Sequence, residues 1–157
     1  MTADTGPARF PDEALSRDVF LGGGLAIWQP LTGYRAATDP VLLAAAVEAR
    51  PGQAVLELGC GAGVALLALG RRVPGVALAG LERQPEYADL ARRNAAGNGL
   101  AAEIVTGDLA QMPQALRARV FDQVLANPPY YPPAAPAARD PGRAAALREE
   151  TPLALWV

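Results

Sequence analysis

The feature that most narrows what this chain can fold into is the stretch Val55-Leu56-Glu57-Leu58-Gly59-Cys60-Gly61-Ala62-Gly63. An apolar run breaks into alternating glycines and gives way to an Ala/Leu-rich segment, so it reads as strand, glycine loop and helix. In an open α/β sheet such a loop lies at the carboxyl end of a strand, where glycines let the backbone approach a ligand that faces the helix amino terminus. A nucleotide-like small molecule is expected there; the alternative is a tight strand-to-helix turn that holds nothing.

The rest of the chain repeats the unit. Ala54 to Leu58 and Ala62 to Arg72 are the first strand and helix, and Val76 to Leu81 and Pro85 to Ala96 the second pair, closed by Asn98-Gly99. Ala102 to Thr106 is a third strand, a short helix interrupted by Pro113 follows, and Val120 to Ala126 is a fourth strand. Strict alternation predicts an α/β fold, a Rossmann-like three-layer sandwich with a mostly parallel sheet. Upstream, residues 1–17 are polar and carry Pro7 and Pro11, so a loose start is expected. Phe20 to Trp28 reads as a hairpin around Gly22-Gly23-Gly24 that covers one end of the domain, which runs from 18 to 157. Asp39 and Pro40 predict a helix start, with the helix reaching about Ala49 before Pro51-Gly52.

The glycine spacing selects the ligand. A dinucleotide fingerprint needs G-x-G-x-x-G, whereas Gly59, Gly61 and Gly63 alternate and Val64 stands at the place of the third dinucleotide glycine. Glu57, two residues before the loop, would repel a pyrophosphate and welcome a cation. The other strands also end in polar residues. Glu82 could accept from both ribose hydroxyls, or be a solvated surface carboxylate; Asp108 could accept from an adenine amino group, or cap a helix.

The fourth strand runs into Asn127-Pro128-Pro129-Tyr130-Tyr131. Prolines lack N–H donors and hold the preceding residue extended, so the Asn127 side-chain oxygen and the Pro128 carbonyl form a fixed pair of acceptors. They match the two N–H groups of a planar amine. Gripping both in a tilted geometry favours a pyramidal nitrogen whose lone pair can attack, a catalysis of orientation and electrostatics that needs no strong base. Tyr130 could stack on the target, as in enzymes that act on extruded bases; the competing reading is a merely rigid turn.

The chain has no histidine and a single cysteine, Cys60, which removes the commonest metal ligand and acid–base group and excludes an internal disulfide. No metal is expected, and Cys60 reads as a small loop residue before it reads as a reactive thiol. A net charge of -2 argues against nucleic-acid binding by bulk electrostatics, though all basic side chains are arginine and a local patch would suffice. No run has the length of a membrane span and no signal pattern opens the chain, so a cytoplasmic protein is expected.

The glycine loop resembles that of class I S-adenosylmethionine-dependent methyltransferases, and with Asn127 to Tyr130 the chain looks like the amino-methylating members. Phe20-Leu21-Gly22-Gly23, Gln29-Pro30, Gly33-Tyr34-Arg35, Thr38-Asp39-Pro40-Val41-Leu42-Leu43 and Ala91-Arg92-Arg93-Asn94 are similar to bacterial tRNA adenine-N6 methyltransferases of the valine-tRNA type. That resemblance implies S-adenosylmethionine as cofactor, S-adenosylhomocysteine as product and tRNA as partner. It puts Glu57, Gly59, Gly61, Gly63, Glu82 and Asp108 on the cofactor, Thr38 near its methionine end, and Asn127, Pro128 and Tyr130 on the target amine, with Asn127 also beside the cofactor. Three further strands would follow in the family, so Thr151 to Val157 reads as a helix just beginning in a chain cut short after its fourth strand. Other targets of the same chemistry are guanine N2 of ribosomal RNA and a protein glutamine. A non-catalytic cofactor-binding fragment is a different class, and a nicotinamide oxidoreductase has the fold but the wrong glycine spacing.

Overall fold

The computed structural model describes residues 9–129 and 151–156. A 3-10 turn, Asp12–Ala14, leads into a hairpin of β1 (Leu15–Phe20) and β2 (Leu25–Pro30), paired antiparallel from Leu15 opposite Pro30 to Phe20 opposite Leu25. The turn and the start of β1 thus fall inside the stretch expected to be loose. Leu15 is buried, but Arg17 and Val19 on the same face are exposed, so no apolar alternation marks the strand beside the prolines. The hairpin turns through Leu21, Gly22 and Gly23, all at positive φ.

Helix α1 (Asp39–Ala46) has Thr38 at its N-cap and Pro40 in its first turn, one residue earlier than the Asp39 cap expected. It also stops short of Ala49. Val47 is extended, and the Arg72 guanidinium donates to the Ala44 and Val47 carbonyls at 2.9 and 2.5 Å, so a side chain from the next helix closes the end.

The central unit alternates β3 (Ala54–Leu58), α2 (Val64–Arg72), β4 (Ala77–Glu82), α3 (Pro85–Gly97) and β5 (Ala102–Thr106). A 3-10 turn, Leu109–Gln111, and the short α4 (Gln114–Arg117) lead to β6 (Gln123–Ala126). The β6 ladder starts at Gln123, later than the Val120 expected, because Val120 is almost fully exposed and Asp122 turns to the start of β3. There its carboxylate accepts from the Ala54 N–H and its own N–H donates to the Ala54 carbonyl. The four strands form one parallel sheet in the order β5-β4-β3-β6.

Alternate residues of β3 divide the core. Val55 faces the layer of α1, α2, α3 and the hairpin, and Leu56 and Leu58 face α4, where Leu116 is buried. Trp156, after a 3-10 turn at Leu153–Leu155 where a helix start was expected, joins this second layer. No helix among the described residues is long and apolar enough to cross a membrane.

The chain leaves β3 for β4 on one side, and after β5 it crosses the sheet to place β6 on the other side of β3. The crevice at the carboxyl ends of β3 and β6 is the topological switch point where such sheets bind ligands.

Candidate functional site

A cleft with about 1200 Å³ of empty space, mouth included, opens at that switch point. Its walls come from the ends of all four parallel strands: Glu57 and Gly59 from β3, Glu82 from β4, Asp108 after β5, and Asn127 and Pro128 after β6. The register explains the meeting. Leu58 is paired with Leu81 on one side and with Ala126 on the other, so Gly59 leaves the sheet between Glu82 and Asn127. Neighbouring parallel strands run roughly 4.8 Å apart.

The two glutamates shape the loop from beneath. Glu57 is buried and its Oε2 accepts the Leu66 N–H at 2.9 Å. Gly63, the N-cap of α2, has no side chain to offer, so a carboxylate from the preceding strand satisfies one orphan donor of the first helical turn. Burial pushes the Glu57 carboxyl up to about 8, opposed by the Leu66 N–H and reinforced by the neighbouring Glu82. Glu82 is buried too, not a solvated surface residue. Its Oε2 accepts the Gly61 N–H and its Oε1 the Gln84 N–H, both at 2.8 Å. Burial raises its pKa as well, and the N–H groups of Gln84, Gly61 and Arg83 work against that shift.

The three loop glycines do different things. Gly61, at φ 53°, has nothing within 4 Å of where a Cβ would stand, so its open side is free for a ligand. A Cβ on Gly59 would meet the Trp156 ring at 3.1 Å. Gly63 does not line the cleft: it lets the loop turn at φ 87° and α2 lie close to Ala91 of α3. Cys60 is buried against Gly80, and burial beside the two glutamates pushes its thiol well above the ordinary range, so it stays protonated and inert.

Asp108 is a cap and also stands at the cleft wall. Its Oδ1 accepts the Ala110 N–H at 2.8 Å, capping the Leu109–Gln111 turn, and the residue still lines the cleft. Thr38 is exposed, and it is Gln29, Tyr34, Ala36 and Pro40 that bring the amino-terminal region to the wall. Tyr130 lies outside the described residues.

Gln29 and Trp156 were not singled out as site residues. Gln29 is buried beside β1, donating to Asp18 at 2.7 Å and exchanging two hydrogen bonds with the Ala36 backbone. A buried amide that fixes its own loop has a sequence trace only in the Gln29-Pro30 pair. Trp156 had none, since nothing in Thr151 to Val157 says where the segment returns. Its Nε1 is buried with no hydrogen-bond partner among the described residues.

These residues suit a ligand that joins a nucleoside to a cation. Gly61 leaves room for close approach, the Glu82 carboxylate has acceptor capacity beyond its backbone N–H partners for a ribose hydroxyl, and Glu57 is a buried carboxyl beside the loop that a cation would favour in its ionised form. Among the described residues no group of three or more His, Cys, Asp or Glu could hold a metal ion.

Comparison with known proteins agrees with this architecture. The sequence model of the family described as "Methyltransferase small domain" matches residues 37–138. A tRNA1(Val) (adenine(37)-N6)-methyltransferase of Yersinia enterocolitica is 33% identical over 84% of this chain and 55% of its own length. A release factor glutamine methyltransferase of Geobacter sulfurreducens is 36% identical over 52% of this chain and 28% of its own. Among solved structures, the Pyrococcus abyssi tRNA (uracil-54, C5)-methyltransferase in complex with S-adenosyl-L-homocysteine superposes with a TM-score of 0.55 at 19% identity. It covers 71% of this chain and 27% of that one, a likeness of fold. The chain spans about half the length of the valine-tRNA relative it matches.

Proposed function

Because the chain belongs to the methyltransferase small-domain family, we propose that it carries the cofactor cleft and the amine-gripping loop of an S-adenosylmethionine-dependent N-methyltransferase whose target is adenine N6 in tRNA. When bound, S-adenosylmethionine supplies a methyl group on a positively charged sulfur, ready for in-line transfer. Glu82 accepts from the ribose hydroxyls, Asp108 receives the adenine amino group with its free oxygen, and Gly59 and Gly61 let the ligand lie against the backbone. Asn127 and Pro128 accept the two N–H groups of the target amine and tilt it, which localises the nitrogen lone pair. Tyr130 offers its ring to the target base.

The observation that carries this reading is the register of β3 and β6, which sets Asn127 beside Gly59 within one cleft. The valine-tRNA relatives at 32–33% identity over 84% of the chain support adenine in tRNA over the glutamine target. Labelled methyl transfer by the full protein to tRNA transcripts and to release factors, in parallel, tests it. Label is expected in tRNA, on adenine N6, and Asn127→Ala should slow transfer roughly 10²-fold with little change in S-adenosylhomocysteine affinity. Label in protein alone overturns the tRNA target; an undiminished rate in the Asn127 variant overturns the mechanism.

A further inference from the structure

One motif found in the sequence takes no part in that mechanism: Asn94, which closes Ala91-Arg92-Arg93-Asn94 on α3. Asparagine is a poor residue for a helix interior, and a buried carboxamide is costly unless its hydrogen bonds are made. Asn94 is 0% exposed, and it makes three of them. Its Oδ1 accepts the Trp28 N–H at 2.8 Å, and its Nδ2 donates to the Trp28 carbonyl at 3.0 Å and to the Ala62 carbonyl at 2.9 Å.

One helical turn on, Asn98 treats β2 in the same way. Its Oδ1 accepts the Ala26 N–H at 2.9 Å and its Nδ2 donates to the Ala26 carbonyl at 2.6 Å. Residues i and i+4 of a helix lie on one face, and residues i and i+2 of a strand point their backbone groups to one edge. The two asparagines therefore pair with the edge of β2 that faces away from β1, as a neighbouring strand would. Arg93 adds a second fastening, its guanidinium 4.7 Å from the centre of the Trp28 ring and 2.6 Å from Asp12.

Only Asn94 also reaches the glycine loop. The Cys60 N–H is fixed by the Leu81 carbonyl and the Gly61 N–H by Glu82, and Asn94 fixes the Ala62 carbonyl from the opposite side. The same amide holds Trp28, and the next residue, Gln29, lines the cleft. We infer that Asn94 is a positioning residue that sets the hairpin wall of the cleft against its glycine-loop wall, so that ligand binding at the loop and docking of the hairpin are one linked event. This rests on the cofactor reading above, since the ligand is the one assigned to that loop.

The test pairs Asn94→Ala with Asn98→Ala, which removes hairpin contacts but none to the loop, and uses S-adenosylhomocysteine as the probe. Calorimetry is expected to show affinity falling about tenfold in Asn94→Ala and less than about twofold in Asn98→Ala, consistent with loss of one buried hydrogen bond at the loop. Asn94→Asp, which keeps an acceptor for Trp28 but has no donor for Ala62, should bind as weakly as Asn94→Ala. In the unsubstituted protein the ligand should slow hydrogen exchange at the Ala26 and Trp28 amides, a readout that does not require the variants to fold. Equal affinity losses in the two alanine variants, or hairpin amides indifferent to bound ligand, overturn the inference. Failure of the unsubstituted protein to bind the probe overturns the cofactor reading instead.

Discussion

Glu57 holds a proton in the folded protein over a range where the unfolded chain has lost it. With its folded pKa about 8 against an ordinary value of 4.5, the folded state binds more protons throughout that interval. Stability therefore falls as pH rises through it, by up to about 1.4 kcal/mol per pH unit. Glu57→Gln keeps an oxygen for the Leu66 N–H and removes the titration. Denaturant unfolding should find the variant more stable than the parent near pH 9, with the advantage fading toward pH 5, the residual slope reflecting the smaller shift at Glu82. The same proton bears on the proposed ligand. Affinity for cationic S-adenosylmethionine relative to uncharged-sulfur S-adenosylhomocysteine should rise with pH up to about 8 in the parent and stay flat in Glu57→Gln, as read by calorimetry. The sequence announced Glu57 as a negative charge near the loop. That it also caps α2 was not legible, because the partner N–H lies in the next element and only the fold brings it there.

The elements meet where side chains are missing. A Cβ on Gly80 of β4 would stand 2.8 Å from the Cys60 sulfur and 3.0 Å from Ile104, so Gly80→Ala should cost roughly 1–3 kcal/mol by crowding the underside of the loop. Adding Cys60→Ala takes away the nearest atom, and the double variant should recover part of the loss in a thermal-unfolding cycle; simple additivity would refute the contact. Strands and helices were legible to within a few residues because their apolar runs and glycine or proline stops are local. The ends that moved are those decided from afar. α1 stops where Arg72 of α2 meets its carbonyls, and β6 starts late because Asp122 bonds to Ala54 across the sheet. The glycine loop and Asn127 could be found as motifs, but their adjacency depends on the strand order, which alternation alone leaves open.

For the molecule as a whole, β6 is the outer strand of the described sheet, and Val124 on it is 55% exposed. Among the described residues no strand pairs with the outer edge of β6, and an apolar strand so placed invites association, so the 157-residue chain should scatter light increasingly with concentration, and Val124→Asp should reduce this without lowering the melting temperature. The opposite flank of the molecule is arranged differently, since the outer rim of β2 finds its partners in the side chains of Asn94 on α3 and Asn98 at its C-cap and needs no further backbone. A hairpin held in that way is a separable part. A synthetic peptide covering residues 9–32 should be unstructured alone, yet reconstitute the native near-ultraviolet signal when mixed with a chain that starts after it, and the rate of that recombination would time how the two pieces find each other.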